Sequence, residues 1–504
     1  MFATFFTCVV SALLIYYLLT KRRNRKLPPG PARYPILGNL PQMAKAHPFG
    51  YRAFHKLSEQ YGEIMSVKVG LQEMVVLSSH KVMKAILDKD EVSGRLWTGI
   101  LEDRSFGKEL GIAFSSGDLQ KQLKTFVIKA LREFGFGKSA SMESIVELEL
   151  ECMDKRLRSA SKVNGGKVLM ERFFQPSLMN VLWTMMAAKR YDHDDPKLTK
   201  LLEINSGWFQ TGSFGSGIIT AFPFIRFLFP EWTGYSSLMH GNRKIHQFAR
   251  DIMQEHRSRG TYKTDPQSFV DVFLREIDNQ DGDLTTAFTD EQFMIICYDM
   301  FQGGFETSSN TLAFAILYMI LNPEVQTKVQ EELDSVCPSK KTPILLSQRT
   351  KYEIAKLTYT YATLMEAFRM SNILPISGPR KAMTDYTYDG YVIPKGTAIT
   401  FNTYSVMRSK ETWGDPDKFR PERFLNPDGG LNSLVDLIGI SWGHGRRSCI
   451  GEILARTTVF MYFTYLLHNF SFRRVHDTKL PTTEPIYGII LSPQPYELIV
   501  EQRS

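Results

Sequence analysis

The sequence predicts a single large, mainly α-helical domain with a small segregated β region, an α+β arrangement, carried behind an N-terminal membrane anchor. Three observations predict it. The first is an uninterrupted helical pattern from Thr289 to Leu321. The second is a late cluster of hairpin signals between Tyr386 and Phe401. The third is that no long low-complexity linker and no internal repeat divides the chain, although its 504 residues would allow about three domains.

The anchor is "MFATFFTCVVSALLIYYLLT", uncharged from Met1 to Thr20 and followed at once by "KRRNRK". About 20 apolar residues span a bilayer as a helix, and flanking Lys/Arg stay on the cytoplasmic side. A secretion signal would carry its charges first and a small-residue cleavage site after, the reverse of this order. The expectation is one membrane span at residues 1–20, a basic and proline-rich hinge at 21–32, and a cytosolic catalytic domain at 33–504. Within "LPPGPARYPILGN" (Leu27 to Asn39), four prolines and two glycines make a stiff, non-helical connector.

Further along, Thr289 and Gln292 stand at capping-box spacing, and Asn322-Pro323 ends the same helical run. At about 1.5 Å per residue such a helix approaches ~50 Å and must run through the domain centre. Asp389-Gly390 lies between two strand-like runs as a hairpin turn, with Pro394-Lys395-Gly396 as a second turn. A last β-like piece is "YGIILSPQPYELIV".

Five scattered cysteines (Cys8, Cys152, Cys297, Cys337, Cys449) without CxxC spacing argue against a disulfide framework and a structural zinc site. The net charge of +8 comes with no basic stripe interleaved with aromatics, so no nucleic-acid partner is expected. Anionic lipid headgroups or an acidic protein partner fit that charge better.

Four local features bear on chemistry. Gly303-Gly304-Phe305-Glu306-Thr307 sits midway along the long helical run, where two glycines cost about 1 kcal/mol each relative to alanine. Such a pair serves either close helix packing or a groove that admits a ligand. Glu366 and Arg369 form an i,i+3 acid–base pair, by itself an ordinary surface salt bridge. "FRPERF" (Phe419 to Phe424) boxes further charges between aromatics and proline. The last is "WGHGRRSCIG", Trp442 to Gly451. Its Cys449 is open to three readings: a packing cysteine, a nucleophile, or a thiolate ligand. A nucleophile needs a base and an orienting group, and none is evident near it. A thiolate ligand would use the glycines, whose freed N–H groups can face the sulfur, and the arginines, which can pair with a ligand's acidic groups. Haem has two such groups, and cysteine thiolate is an established haem ligand.

Taken together, in order and spacing, these features resemble the cytochrome P450 family, and the resemblance runs from the anchor to the C-terminus. Trp442, Gly445, Arg447, Cys449 and Gly451 match its ligand loop; Gly303 to Thr307 match its oxygen-handling helix; Glu366, Arg369 and Arg423 match its buried triad. The hinge, the anchor and "LREFGFGK" (Leu131 to Lys138) are similar to the microsomal animal branch, its steroid- and drug-oxidising group and insect relatives.

The resemblance implies haem b as cofactor, with Cys449 as the axial iron ligand and Arg95, Arg380 and Arg447 on the propionates. It implies that the glycine pair leaves room for dioxygen, that Thr307 holds a water or the distal oxygen, and that Glu306 relays protons. It further implies electrons from an NADPH-cytochrome P450 reductase, with cytochrome b5 as a second candidate donor, and residence in the endoplasmic reticulum membrane. Lys121, Lys124, Arg132 and Arg446 are the candidate docking charges. Two positions depart from the pattern: Gln120 and Lys124 stand where related chains carry a Trp and an Arg on a propionate. Trp442 replaces the usual phenylalanine, and its indole N–H is expected to reach toward the cysteine sulfur. Segments Trp97 to Phe114, Trp208 to Phe229, Cys297 to Phe305, Leu374 to Gly378 and Ile486 to Ile489 should face a lipophilic substrate: a steroid, terpenoid, fatty acid or foreign compound. A monooxygenase inserting one oxygen atom from O2 is the main reading. A haem-containing lipid-binding or scaffold protein with impaired turnover is the other, resting on Gln120 and Lys124.

Overall fold

The computed structural model describes residues 26–97, 99–137, 140–211, 218–280, 286–337, 356–476 and 479–503. The predicted anchor at 1–20, hinge residues 21–25, positions 212–217 of the Trp208 to Phe229 segment, Thr98 and Lys138 lie outside these. Among the described residues no helix is long and apolar enough to cross a membrane.

Among the described residues ten short strands make three small sheets beside the helices. Strands β1 (Ile64–Val69), β2 (Gln72–Leu77), β3 (Gly94–Arg95), β5 (Arg380–Lys381) and β8 (Ala398–Phe401) form one sheet in the order β1-β2-β8-β5-β3. In it β2 runs parallel to β8, Met74 opposite Ala398, and the other pairs are antiparallel. Strands β4 (Lys167–Leu169), β10 (Glu497–Gln502) and β9 (Phe470–Arg474) form the second, and β6 (Tyr386–Tyr388) with β7 (Tyr391–Ile393) the third. The β6–β7 turn is the predicted Asp389-Gly390, both at positive φ (49° and 75°), the backbone that a two-residue type I′ hairpin requires.

The proline connector lies on the first sheet. Ser66 donates from its backbone to Pro29 O (2.8 Å) and from its hydroxyl to Pro28 O (2.7 Å), while Asn39 Nδ2 donates to Pro31 O (3.1 Å). A Cβ on Gly30 would stand 1.9 Å from Ser66 O, so only glycine permits this approach.

The helices that build the site are α1 (Gly117–Glu133), α2 (Gln175–Ala187), α3 (Pro196–Thr211), α4 (Tyr235–Arg259), α5 (Asp290–Gly304), α6 (Glu306–Leu321), α7 (Pro323–Val336), α8 (Thr358–Ser371) and α9 (Glu452–Asn469). Helix α6 is buried at every position from Ser308 to Ile320, and α9 from Thr457 to Asn469. A helix that is covered on all faces belongs at the domain centre, and α6 packs there against α8 and α9.

The expected single helix from Thr289 to Leu321 is two. Thr289 caps the first by accepting from Gln292 N (3.1 Å), but the Gln292 side chain does not return the bond, so only half of the capping box forms. Phe305, at φ −127° and ψ −40°, then interrupts the ladder. Directly beforehand stand the two glycines, which hold the helical backbone weakly. Across the break, Thr307 Oγ1 donates to Gly303 O (3.1 Å), a side-chain bond of the kind that bends helices.

Candidate active site

The Trp442–Gly451 loop is folded by backbone rather than side-chain contacts. Cys449 N donates to Trp442 O (2.7 Å), closing the loop. Gly443 and Gly445 take positive φ (79° and 65°). A Cβ on Gly445 would sit 2.5 Å from Leu87 O, so this glycine lets the loop press onto the Leu87–Asp88 turn rather than aiming a donor at the sulfur, as the sequence suggested. Gly451 does the aiming: its N–H and that of Glu452, at the start of α9, face the Cys449 thiol. Burial pushes that thiol up, and these two N–H groups oppose the rise. The thiol is surrounded by protein yet accessible, because it faces an internal cavity.

Trp442 does not reach the sulfur. Its indole Nε1 is buried without a partner, and its ring packs edge-on against Phe368 of α8 (centroids 5.9 Å apart) with the Arg456 guanidinium 5.3 Å from its centroid. Lys124 of α1 holds the loop instead: its Nζ donates to Arg446 O (2.7 Å) and Ser448 O (3.4 Å). It is therefore half-buried and engaged, unlike exposed Lys121 and Arg132 of the expected docking set. Arg446 is exposed but paired to Asp90 (2.5 Å).

Two adjoining spaces, one larger than the other, meet at Cys449, Trp442, Arg447, Arg95, Asp299, Gly303 and Thr307. One edge is strongly cationic. Arg95 on β3 stands directly opposite Arg380 on β5, a like-charge pairing that ordinarily weakens a sheet. Arg447 joins them. Backbone carbonyls accept from all three: Ala113 and Gly378 from Arg95, Leu87 and His444 from Arg380, Ser93 and Ser115 from Arg447. Burial drives Arg95 down to about 10 and, with mutual repulsion, Arg380 and Arg447 down to about 9. Burial and the same arginines lower Lys124 as well. Among the described residues Asp299 is the only acid lining either space. Gln120 of α1 lines the same wall as Lys124. Crowded, desolvated cations that bond only to backbone carbonyls and to no carboxylate suit a dianionic ligand. With a sulfur ligand beside that edge and bare glycine across the cavity, the donor set fits haem.

The two glycines of α5 do different jobs. A Cβ on Gly303 would meet nothing within 4 Å, whereas one on Gly304 would stand 2.1 Å from Leu182 Cδ2 of α2. Gly303 leaves the cavity open, and Gly304 is close packing. Thr307 lines the cavity beside Gly303. Glu306 does not: it points to the far side of the helix, into a small separate space that Arg172, Gln175 and Ser206 also line. Its carboxylate accepts from Ser206 Oγ (2.9 and 3.0 Å) and Asn205 Nδ2 (3.3 Å), both on α3, and Gln175 Nε2 donates to Ser206 Oγ (3.1 Å). Burial pushes Glu306 up to about 7, placing it near neutral pH as a proton donor and acceptor.

The charged triad closes around one carboxylate. Arg369 donates to both oxygens of Glu366 (2.7 and 2.9 Å), and Arg423 Nε adds a third bond at 3.0 Å. The spare guanidinium nitrogens bind Met407 O, Trp413 O and Lys418 O, stitching residues 407–423 to α8. The expected apolar segments also converge, with Phe114, Trp208, Phe209, Leu374, Gly378 and Ile489 all lining the larger space.

Sequence reasoning missed Asn205 and Ser206 as partners of Glu306, and a buried ion pair between Arg104 and Asp299. Asp299 carried a signal, a lone charge inside the apolar run "FMIICYDMF". Arg104 carried none, because the pair is 195 residues apart in sequence.

A thiol at a helix start, a cationic edge and a glycine-relieved helix across the cavity define a haem-thiolate protein. Residues 28–500 match the family model for cytochrome P450, and the chain belongs to that family. It is similar to farnesoate epoxidase of Bombyx mori (31% identical, covering 98% of each chain) and to cytochrome P450 2D4 of Rattus norvegicus (29%, covering 97% of this chain and 96% of the other). It also resembles probable cytochrome P450 305a1 of Drosophila melanogaster, at 30% identity over the full length of both. Its cofactor is accordingly haem b, and it is an oxidoreductase of the monooxygenase class.

Proposed function

We propose that this chain inserts one oxygen atom from O2 into a lipophilic small molecule, taking NADPH electrons through a reductase, with cytochrome b5 as a second donor. The observation that carries the reading is the cavity itself: the Cys449 thiol on one wall and Gly303 with Thr307 on the other. Bound haem supplies the oxygen-activating chemistry, and a thiolate ligand favours O–O cleavage. Cys449 holds the iron; Arg95, Arg380, Arg447, Lys124 and Gln120 hold the propionate edge. The Glu366–Arg369–Arg423 triad keeps residues 407–423 in place behind the ligand loop. On the opposite wall Thr307 lines the reacting site, with its hydroxyl proton held by Gly303 O (3.1 Å). Glu306, which the resemblance casts as the proton relay, lies on the other side of that helix, where Ser206 and Asn205 hold its carboxylate away from the reacting site. The apolar larger space takes the substrate, and farnesoate, named for the Bombyx mori relative, is the first candidate to test.

A membrane location draws support from the surface. Phe224, Phe227, Leu228, Phe229 and Trp232, close together in sequence, are 53%, 62%, 63%, 58% and 74% exposed. Such a patch suits the surface of the endoplasmic reticulum membrane, with residues 1–20 as its single-pass anchor. The scaffold reading is weaker, since Lys124 grips the ligand loop.

The test is the reduced carbonyl difference spectrum of the purified chain, followed by NADPH consumption with a reductase and candidate lipids. A thiolate-type red-shifted band is expected. Its absence overturns the reading.

A further inference from the structure

The cavity's only acid among the described residues is spent before any substrate arrives. Asp299 Oδ1 pairs with Arg104 Nη2, and Oδ2 accepts from Ile112 N (2.7 Å) and Ala113 N (3.0 Å). Both side chains are buried, at 1% and 2% exposure. The Arg104 guanidinium lies 4.2 Å from the Tyr298 ring centroid and 5.3 Å from that of Phe114, and two of its nitrogens have no polar partner. Aromatic faces thus take up the rest of its charge. The backbone is shaped for this arrangement: a Cβ on Gly111 (φ +81°) would stand 2.3 Å from Asp299 Oδ2.

We propose that Arg104 is a specificity-determining residue that masks Asp299. By neutralising the carboxylate and leaving it to clip residues 111–114 over the cavity, Arg104 makes the substrate space reject cations and accept neutral apolar molecules. The proposal rests on the reading of this cavity as the substrate site. Removing Arg104 leaves an uncompensated carboxylate at the cavity wall, and removing the carboxylate leaves an uncompensated guanidinium. The two changes therefore shift charge preference in opposite directions, which a merely structural role would not do.

Three probes of one shape test it: benzyltrimethylammonium, its carbon isostere neopentylbenzene, and benzylsulfonate. Their binding to the haem-loaded full chain is measured by equilibrium dialysis, which needs no turnover. The unaltered chain should favour the neutral probe. Arg104→Met should raise the cation-to-neutral ratio about tenfold or more, and Asp299→Asn the anion-to-neutral ratio similarly. The double variant should return to the neutral preference. Ratios unchanged in both single variants overturn the proposal. Should Arg104→Met fail to fold, the Asp299→Asn anion ratio decides alone, risen or unchanged. A missing thiolate band in the carbonyl spectrum would instead reject the monooxygenase reading, and the dialysis ratios would still judge the mask.

Discussion

The two walls of the cavity are built on opposite principles. The Cys449 wall is over-determined. Lys124 holds its loop carbonyls, Arg380 holds His444 O, Trp442 leans on Phe368, and the triad pins the chain that leads into it. The Gly303–Thr307 wall is built by subtraction: an interrupted ladder, a position with no neighbour, and a hydroxyl turned back on its own helix. On the proposed reading, a residue that is to hold a metal must not move, and its wall is fastened at many points. A reacting site must admit a small molecule and a proton, so its wall is left open.

The largest break in this contrast is Cys449→Ser. It should abolish the thiolate-type carbonyl band outright, and a retained band would show that the sulfur is not the ligand. Next comes Arg369→Ala, which takes two of the three guanidinium bonds from a fully buried carboxylate and leaves it to Arg423; breaking such a buried pair costs about 3–5 kcal/mol. The purified variant should have lost most of its haem absorbance relative to protein, and normal haem content would sink the supporting role of the triad.

On the open wall the expected effects are smaller and carry signs. Glu306 lies above its ordinary value in the folded state, so folding favours its protonated form. Its stabilising contribution is full below the unfolded value of 4.5 and is lost as pH rises through about 7, in total on the order of 3 kcal/mol. Denaturation midpoints in that window should therefore fall with pH more steeply in the native chain than in Glu306→Gln. The two glycines should separate last. Gly304→Ala should destabilise by about 1–3 kcal/mol through its clash with Leu182. Gly303→Ala should gain up to about 1 kcal/mol of helix stability while narrowing the cavity, which substrate binding would report. Equal effects at the two positions would erase the distinction drawn between them.

Much of the local structure was legible. The Asp389-Gly390 hairpin, the Thr289 cap and the cysteine loop all announce themselves within short stretches, since turns, caps and ligand loops are set by neighbours in sequence, whereas the Glu366–Arg369–Arg423 cluster was legible only through the family resemblance. The open wall was less so. One helix was expected where Phe305 makes two, and one job was expected of a glycine pair that has two. Trp442 was expected at the sulfur and faces Phe368 instead.

By itself, then, the sequence determined the fold class, the turns and caps and the cysteine loop, because backbone conformation at short spacing depends on local chemistry. Only the tertiary structure decided that Leu182 would fill the space beside Gly304, that Asn205 and Ser206 would hold Glu306 away from the cavity, and that Arg104 would cover Asp299. Each depends on which distant helix packs where, and close-packed interiors settle that jointly, over contacts that no local pattern records.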